Sequence, residues 1–432
     1  MSGYTLISCV GTGMYKKEGG YRETLYQFPD SEKTYKTSLF LKAILEIKYR
    51  PIKKVILVGT FTSGWDMLIP NPDSEKNISL WEKILRECEN KKDGISEESI
   101  KELESMLPGW YNNIPFKIVI HTNEINQENV ENIFSTYVKI PDLLEPDTDI
   151  LFDISHGFRS MPILVFQSLQ LNTSKILGKS VELIYGEYAE EENKSHARNL
   201  SKYWDYFEIS SAIKLFNEKL DSKLLAEKIK PYWDSGAKFL TRFSEIVECN
   251  FSLQIPEALK QLKNTLANFN GTEKPQWVAD VRNMLDDIDK KLNPKSDEKY
   301  PFTKTVWEYS KLLRDKGLIT QAVIALQVTV ETAIAEKHDC SKIGDYEWFY
   351  GYYDATSSGR INGMGIKELK KIREKDYKLH TTLEQLKDLR NQIAHGGGKN
   401  KKGIYPHQAN INGILKPIDN AIEKLFSLLE DD

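Results

Sequence analysis

Cysteine is scarce and scattered: Cys9, Cys88, Cys249 and Cys340 are the 4 cysteines in 432 residues, and no C-x-x-C pair occurs. That spacing excludes a zinc cage or a disulfide framework and suits a reducing compartment. No window supplies the ~20 consecutive apolar residues of a spanning helix. The opening MSGYTLISCVGTG lacks the basic start and apolar core of a signal peptide. The expectation is a soluble, cytoplasmic protein without a membrane partner. An excess of one charge is missing as well: Lys+Arg 59 against Asp+Glu 63 gives −4 with the 7 His neutral. A protein built to coat nucleic acid is usually basic, so any polyanion must meet a local site here. Neither G-x-G-x-x-G nor the Walker G-x-x-x-x-G-K-[ST] occurs, which disfavours a dinucleotide cofactor and an ATP-driven motor.

What remains is ordinary globular material, 40% hydrophobic and 28% charged. At ~150 residues per domain the length predicts two or three domains. Two textures divide the chain. Up to about residue 210, apolar runs at Tyr4–Val10, Lys54–Val58, Phe116–His121, Asp149–Ile154 and Val181–Tyr185 read as strands, with a further one at Trp204–Ile209. Helical patterns lie between them at Lys36–Lys48, Leu80–Cys88, Ser96–Leu107, Glu128–Val138 and Met161–Lys175. Strands alternating with helices predict a parallel, Rossmann-like α/β domain. Beyond residue 210 every periodic stretch is helical: Ser211–Lys230, Asp234–Cys249, Ile255–Asn268, Val278–Leu292, Thr303–Lys316, Gln321–Lys337, Thr382–His395 and Ile411–Leu429. The second half is therefore expected to be all-α, with a linker at Leu292–Pro301 and an exposed loop at Gly344–Gly365.

Three predicted strands end in similar chemistry. The first runs into Gly11, Thr12, Gly13 and Met14; the second into Gly59, Thr60, Phe61, Thr62, Ser63, Gly64, Trp65 and Asp66; the fourth into Ser155, His156, Gly157, Phe158, Arg159 and Ser160. In an open parallel sheet, ligands bind beyond the carboxyl ends of the strands. Glycines let backbone N–H groups approach an anion, and hydroxyls add donors. Arg159 stands where the next helix begins, so its charge and that helix's N–H groups can share a phosphate. Phe158 and Trp65 offer faces for a stacked base. Any one of these loops alone reads as an ordinary turn; three together point to a nucleotide carrying several phosphates.

The second constellation is Leu389-Arg390-Asn391-Gln392-Ile393-Ala394-His395-Gly396-Gly397-Gly398. At about 100° per residue, Arg390 falls inside the apolar arc of Leu383, Leu386, Leu389 and Ile393, while Asn391 and His395 share another face. A guanidinium on a buried shoulder needs an anion. A His closing a helix sits at the negative end of the dipole, which brings its pKa toward neutrality. An Arg with a titrating His and no metal-ligand cluster suits RNA cleavage by the 2′-hydroxyl, the His moving protons and the Arg stabilising the phosphorane. The blander reading is a capping His and a structural Arg. Lys399, Lys401 and Lys402 follow, either holding an RNA backbone or forming a solvated loop.

The two halves together resemble the type III CRISPR-associated ancillary ribonucleases, which join a CARF (CRISPR-associated Rossmann fold) domain to a HEPN domain. Asp153-Ile154-Ser155-His156-Gly157-Phe158-Arg159-Ser160-Met161-Pro162 is similar to the family's D-I-[ST]-H-G-[FL]-R-[SH]-x-P, and Arg390-Asn391 to His395 to its R-N-x-x-x-H. The loops at Gly11–Gly13 and Gly59–Asp66 resemble its other CARF loops. The resemblance implies a CARF sensor over 1–210, a helical connector over 211–300 and a HEPN nuclease over 301–432. It implies a cyclic oligoadenylate as activator, most often cyclic tetra-adenylate, held by the three loops, and no required cofactor or metal. It further implies Arg390 and His395 as catalytic with Asn391 supporting, single-stranded RNA as substrate, and no stable complex with the CRISPR effector. One Arg–His pair per chain is too little for acid plus base, so a homodimer or higher oligomer is expected. Glu331 faces this site or the solvent. Two other readings stand: a CARF sensor that recruits a partner without cutting RNA, and one that degrades its own activator with Thr60, Ser63 or His156.

Overall fold

In the N-terminal half, successive strand residues serve two cores, as a period of two requires. Leu6, Val10, Val55 and Leu57 point into one; Ile7, Cys9, Ile56 and Val58 point into the other. Both of these strands are apolar on both faces because helices cover both. The computed structural model describes residues 3–13, 21–29, 31–70, 75–90, 92–122, 126–269, 275–293, 300–354, 359–394 and 408–430. Met14, His395, Gly396–Gly398, Lys399, Lys401 and Lys402 lie outside the described residues. The chain divides into two units, Met1–Asp205 and Tyr206–Asp432.

The first unit runs β1 (Gly3–Cys9), β2 (Thr24–Gln27), β3 (Thr34–Thr37), α1 (Phe40–Ile47), β4 (Ile52–Thr60), α2 (Glu75–Glu89), α3 (Glu97–Trp110), β5 (Phe116–His121), α4 (Val130–Tyr137), β6 (Thr148–Asp153), α5 (Ser160–Leu171), α6 (Thr173–Ile176), β7 (Val181–Ala189) and β8 (Lys194–Asn199). Among the described residues these strands form one sheet of order β3-β2-β8-β7-β6-β1-β4-β5. The fold is Rossmann-like α/β, but the sheet is mixed: β1, β4, β5, β6 and β7 pair in parallel, whereas β7–β8 and β2–β3 are antiparallel. The strands that add the antiparallel pairs, β2, β3 and β8, were not among the expected ones. β1 is flanked by β4 on one side and β6 on the other, and the chain changes direction across the sheet between them. That is the topological switch point where such sheets hold ligands.

Helix α7 (Ser201–Lys219) runs across the boundary, and the second unit continues α8 (Lys223–Ile229), α9 (Asp234–Glu248), α10 (Ile255–Ala267), α11 (Gln276–Leu292), α12 (Pro301–Asp315), α13 (Ile319–His338), α14 (Tyr346–Tyr350), β9 (Tyr352–Asp354), β10 (Gly359–Ile361), α15 (Met364–Lys375), α16 (Tyr377–Ala394) and α17 (Gln408–Glu430). Two cores meet on α12 and α13: Tyr309, Leu313 and Ala322 pack with α7–α11, while Trp307, Leu326 and Val330 pack with α14–α17. Three expectations are corrected. Trp204–Ile209 is helix, because Ile209, Ala212 and Phe216 recur on one buried α7 face and outweigh the β-propensity of the run. Ser211–Lys230 is two helices, broken where Leu220 turns left-handed (φ 55°). Gly344–Gly365 holds α14 and a short β9–β10 hairpin, so this half is helical with one small exception. Among the described residues no helix is long and apolar enough to cross a membrane.

Candidate functional site

The three expected loops follow β1, β4 and β6, which are neighbours in the sheet. The structure brings them together by backbone contacts. The Gly64 N–H donates to the Gly11 carbonyl at 2.8 Å, and Ser63 Oγ donates to the Val10 carbonyl at 2.7 Å. A Cβ on Gly11 would stand 2.9 Å from the Gly157 nitrogen, so the β1 and β6 loops touch backbone to backbone. Gly157 has φ 98°, a left-handed conformation that strains any other residue, and a Cβ there would meet Cys9 and Met161 at 2.9 Å.

Beyond that contact the surface is open. Thr12 and Gly13 are exposed, Phe158 is 42% exposed, and Arg159 is an exposed N-cap of α5. Gly11, Thr62, Ser155, His156 and Ser160 are half-buried. A guanidinium, an aromatic face and the first turn of a helix therefore lie beside the switch-point crevice. That combination can bind a phosphate and stack a base.

Other expected contacts point inward. Trp65 is fully buried, its indole N–H donating to the Thr60 carbonyl at 2.9 Å, which corrects the expectation that it offers a face to a base. Its ring fills the space that a Cβ on Gly59 would need. Thr60 and Ser63 are buried too; Ser63 Oγ accepts from the Thr60 N–H at 2.9 Å, so these hydroxyls brace the loop. Asp66 is buried and accepts from the Tyr21 hydroxyl at 2.7 Å. Burial holds its carboxyl above the usual range, an effect the Tyr21 hydrogen bond reduces. The His156 Nε2 accepts from the Phe40 N–H at 3.1 Å, so that nitrogen ties the loop to α1. Burial pulls the His156 pKa down, against the pull of Asp153. Ser155 Oγ accepts from the Gly186 N–H at 2.7 Å, and its own N–H donates to Asp153 at 2.9 Å. These residues build the loops, while the exposed ones are placed to meet a ligand.

In the second unit, Arg390 and Asn391 are half-buried on α16, where Leu386 and Leu389 are buried, as the helical arc predicted. In the same unit, two residues that sequence reading did not single out meet Glu331. Tyr350, the last residue of α14, donates its hydroxyl to Glu331 Oε1 of α13. Gln327 Nε2, one turn earlier on α13, donates to the same oxygen at 3.1 Å. Burial and the Glu331 charge push the Tyr350 phenol up, against the pull of Arg390. Glu331 therefore turns inward. The segment containing Tyr350 carries no periodicity, and only the aromatic run Trp348-Phe349-Tyr350 signals burial. Among the described residues there is no group of three or more His, Cys, Asp or Glu that could hold a metal ion.

Residues 5–190 match the family model of the CARF domain of the CRISPR system endoribonuclease Csx1. A CRISPR-associated protein of Methanocaldococcus jannaschii is 22% identical over an alignment of 452 positions, covering 99% of this chain and 67% of that protein. The structure of Enterococcus italicus Csm6 bound to cyclic hexa-2′-fluoro-hexa-dAMP aligns over 99% of this chain and 94% of that one, at 11% identity and a TM-score of 0.34. The matched segment fills the sheet that carries the three loops, so the first unit is similar to the CARF domain of Csx1.

Proposed function

We propose that this protein is a cytoplasmic endoribonuclease that cleaves single-stranded RNA without a metal ion when a cyclic oligoadenylate occupies its CARF domain. The observation that carries the reading is the switch-point crevice: Gly11 against Gly157, with Phe158, Arg159 and the α5 N-terminus open beside it. A ring of adenylates presents phosphates and purines together, and these groups answer both. The buried hydroxyls of Thr60 and Ser63 are committed to the loop, which speaks against those groups cutting the ring.

The three-part division follows: sensor over 1–210, connector over 211–300, nuclease over 301–432. In the nuclease, the 2′-oxygen attacks phosphorus as its proton passes to one His395, and the P–O5′ bond breaks as the leaving oxygen takes a proton from a second His395. Arg390 stabilises the negative charge gathered on the phosphorane, and Asn391 supports it. Two His require two chains, hence a homodimer or a higher homo-oligomer.

Labelled single-stranded RNA incubated in EDTA, with and without synthetic cyclic tetra- and hexa-adenylate, tests the reading. Ring-dependent products ending in 2′,3′-cyclic phosphate are expected. His395→Ala should abolish them while ring binding persists, and Arg159→Ala should raise the ring concentration needed. Cleavage that requires a divalent metal, or none with either ring, overturns the reading.

A further inference from the structure

Tyr21 stands just before β2, half-buried, and no local pattern marks it. Its side chain meets two of the three crevice loops. Gly13, in the loop after β1, has φ 72°, and a Cβ there would lie 2.4 Å and 2.5 Å from two carbons of the Tyr21 ring. A Cβ on Gly64, in the loop after β4, would lie 3.1 Å from the Tyr21 hydroxyl oxygen and 2.6 Å from the Met67 methyl carbon. The Met67 sulfur stands 3.2 Å from the Cβ position of Gly13, so Tyr21 and the buried Met67 both pack against both glycines.

The hydroxyl of Tyr21 donates to Asp66 Oδ1 at 2.7 Å. Asp66 is 1% exposed, and its Oδ2 has no hydrogen-bond partner among the described residues. A donor to such a buried carboxylate is strongly held and costly to lose. Asp66 lies two residues after Gly64, whose N–H donates to the Gly11 carbonyl, and Gly11 abuts Gly157 of the β6 loop. Contacts therefore run from Tyr21 into the β1 and β4 loops directly, and through Gly64 and Gly11 to the third. Thr12 and Gly13 are exposed, and Tyr21 with Met67 gives their loop a packed side. A site preformed in this way loses less of its binding energy to the ordering of loops.

We propose that Tyr21 is a positioning residue for the ligand of this crevice: its ring seats the loop at Gly13 and its hydroxyl, on Asp66, fixes the loop at Gly64, so that the crevice is preformed for the phosphates of a cyclic oligoadenylate. This deepens the sensor reading above and rests on it.

Tyr21→Phe removes one oxygen and keeps the aromatic ring. Calorimetry on the full chain, with cyclic tetra- or hexa-adenylate, whichever the wild type binds, should show the dissociation constant rising on the order of 10-fold. The activator concentration that half-activates RNA cleavage should rise with it, while kcat at saturating activator keeps its wild-type value. Adding Tyr21→Phe to Asp66→Ala, which deletes the same hydrogen bond from its other end, should weaken binding no further. An unchanged dissociation constant in Tyr21→Phe, even with a lower saturated rate, marks a merely structural role and overturns the proposal. A rise that adds fully to that of Asp66→Ala overturns it too. A wild-type chain that binds neither cyclic oligoadenylate overturns the sensor reading by itself. The clamp is then read from hydrogen exchange: the Gly64 amide, bonded to the Gly11 carbonyl, should exchange faster in Tyr21→Phe, and an unchanged rate overturns the clamp.

Discussion

Single residues show why composition and pattern misjudge a loop's interior. Trp65 and Asp66 follow a glycine and look like surface groups poised for a ligand, yet both are buried. What buries them is packing from elsewhere: Tyr21 reaches Asp66, and Gly59 leaves room for the indole. The same pocket holds Lys42 of α1, whose Nζ donates to the Ile69 carbonyl at 3.3 Å. Burial lowers the Lys42 pKa from 10.5 to about 8, although Asp66 and two glutamates pull it upward. Between those values the unfolded chain keeps a proton that the folded chain has lost, so stability rises with pH across that window. The cost of burying the charge is present in full below about pH 8. Lysine-selective carbon NMR should show one side chain titrating near pH 8, missing from Lys42→Met. Every lysine titrating near 10.5 would refute the assignment.

Elements were legible where they are long and apolar. β1, β4, β5, β6 and β7 were visible as runs because helices cover both their faces. β2, β3 and β8 escaped, since TLYQ, TYKT and KSHARN are short and polar; β3 stands at the sheet edge, with two of its four residues exposed. Glycines mark which contacts the elements depend on. Gly363→Ala forces a Cβ onto three backbone atoms at 2.5 Å and should lower the unfolding midpoint of the full chain, a loss of roughly 2 kcal/mol or more. Gly109→Ala is its control: it is exposed near the end of α3, with nothing within 4 Å of the new Cβ. There the midpoint should rise, by about 0.5–1 kcal/mol of stability. Equal effects at both sites would sink the packing argument for α14 and α15.

For the whole molecule, the net charge of −4 places no broad basic field over the chain, which suits the proposed function, in which a polyanion is met at a confined site. If two chains share the acid and the base, the active particle has about twice the 49.8 kDa of one chain. Sedimentation should find that mass, and specific activity at saturating ring should fall on dilution below the dimer's dissociation constant. Activity per chain independent of dilution, in a particle of single-chain mass, would exclude the shared site.

The sequence by itself determined the order of the two halves, the identity of the three loops and the helix carrying Arg390, because each rests on local periodicity or on residues within ten positions of one another. Only the tertiary structure decided that the β1 and β6 loops touch, that Ser63 ties the β4 loop to β1, and that Tyr350 donates to Glu331. The contacts Gly11–Gly157, Ser63–Val10 and Tyr350–Glu331 join residues 146, 53 and 19 positions apart. Burial and hydrogen-bond pairing across such distances are properties of packing, which no local pattern encodes.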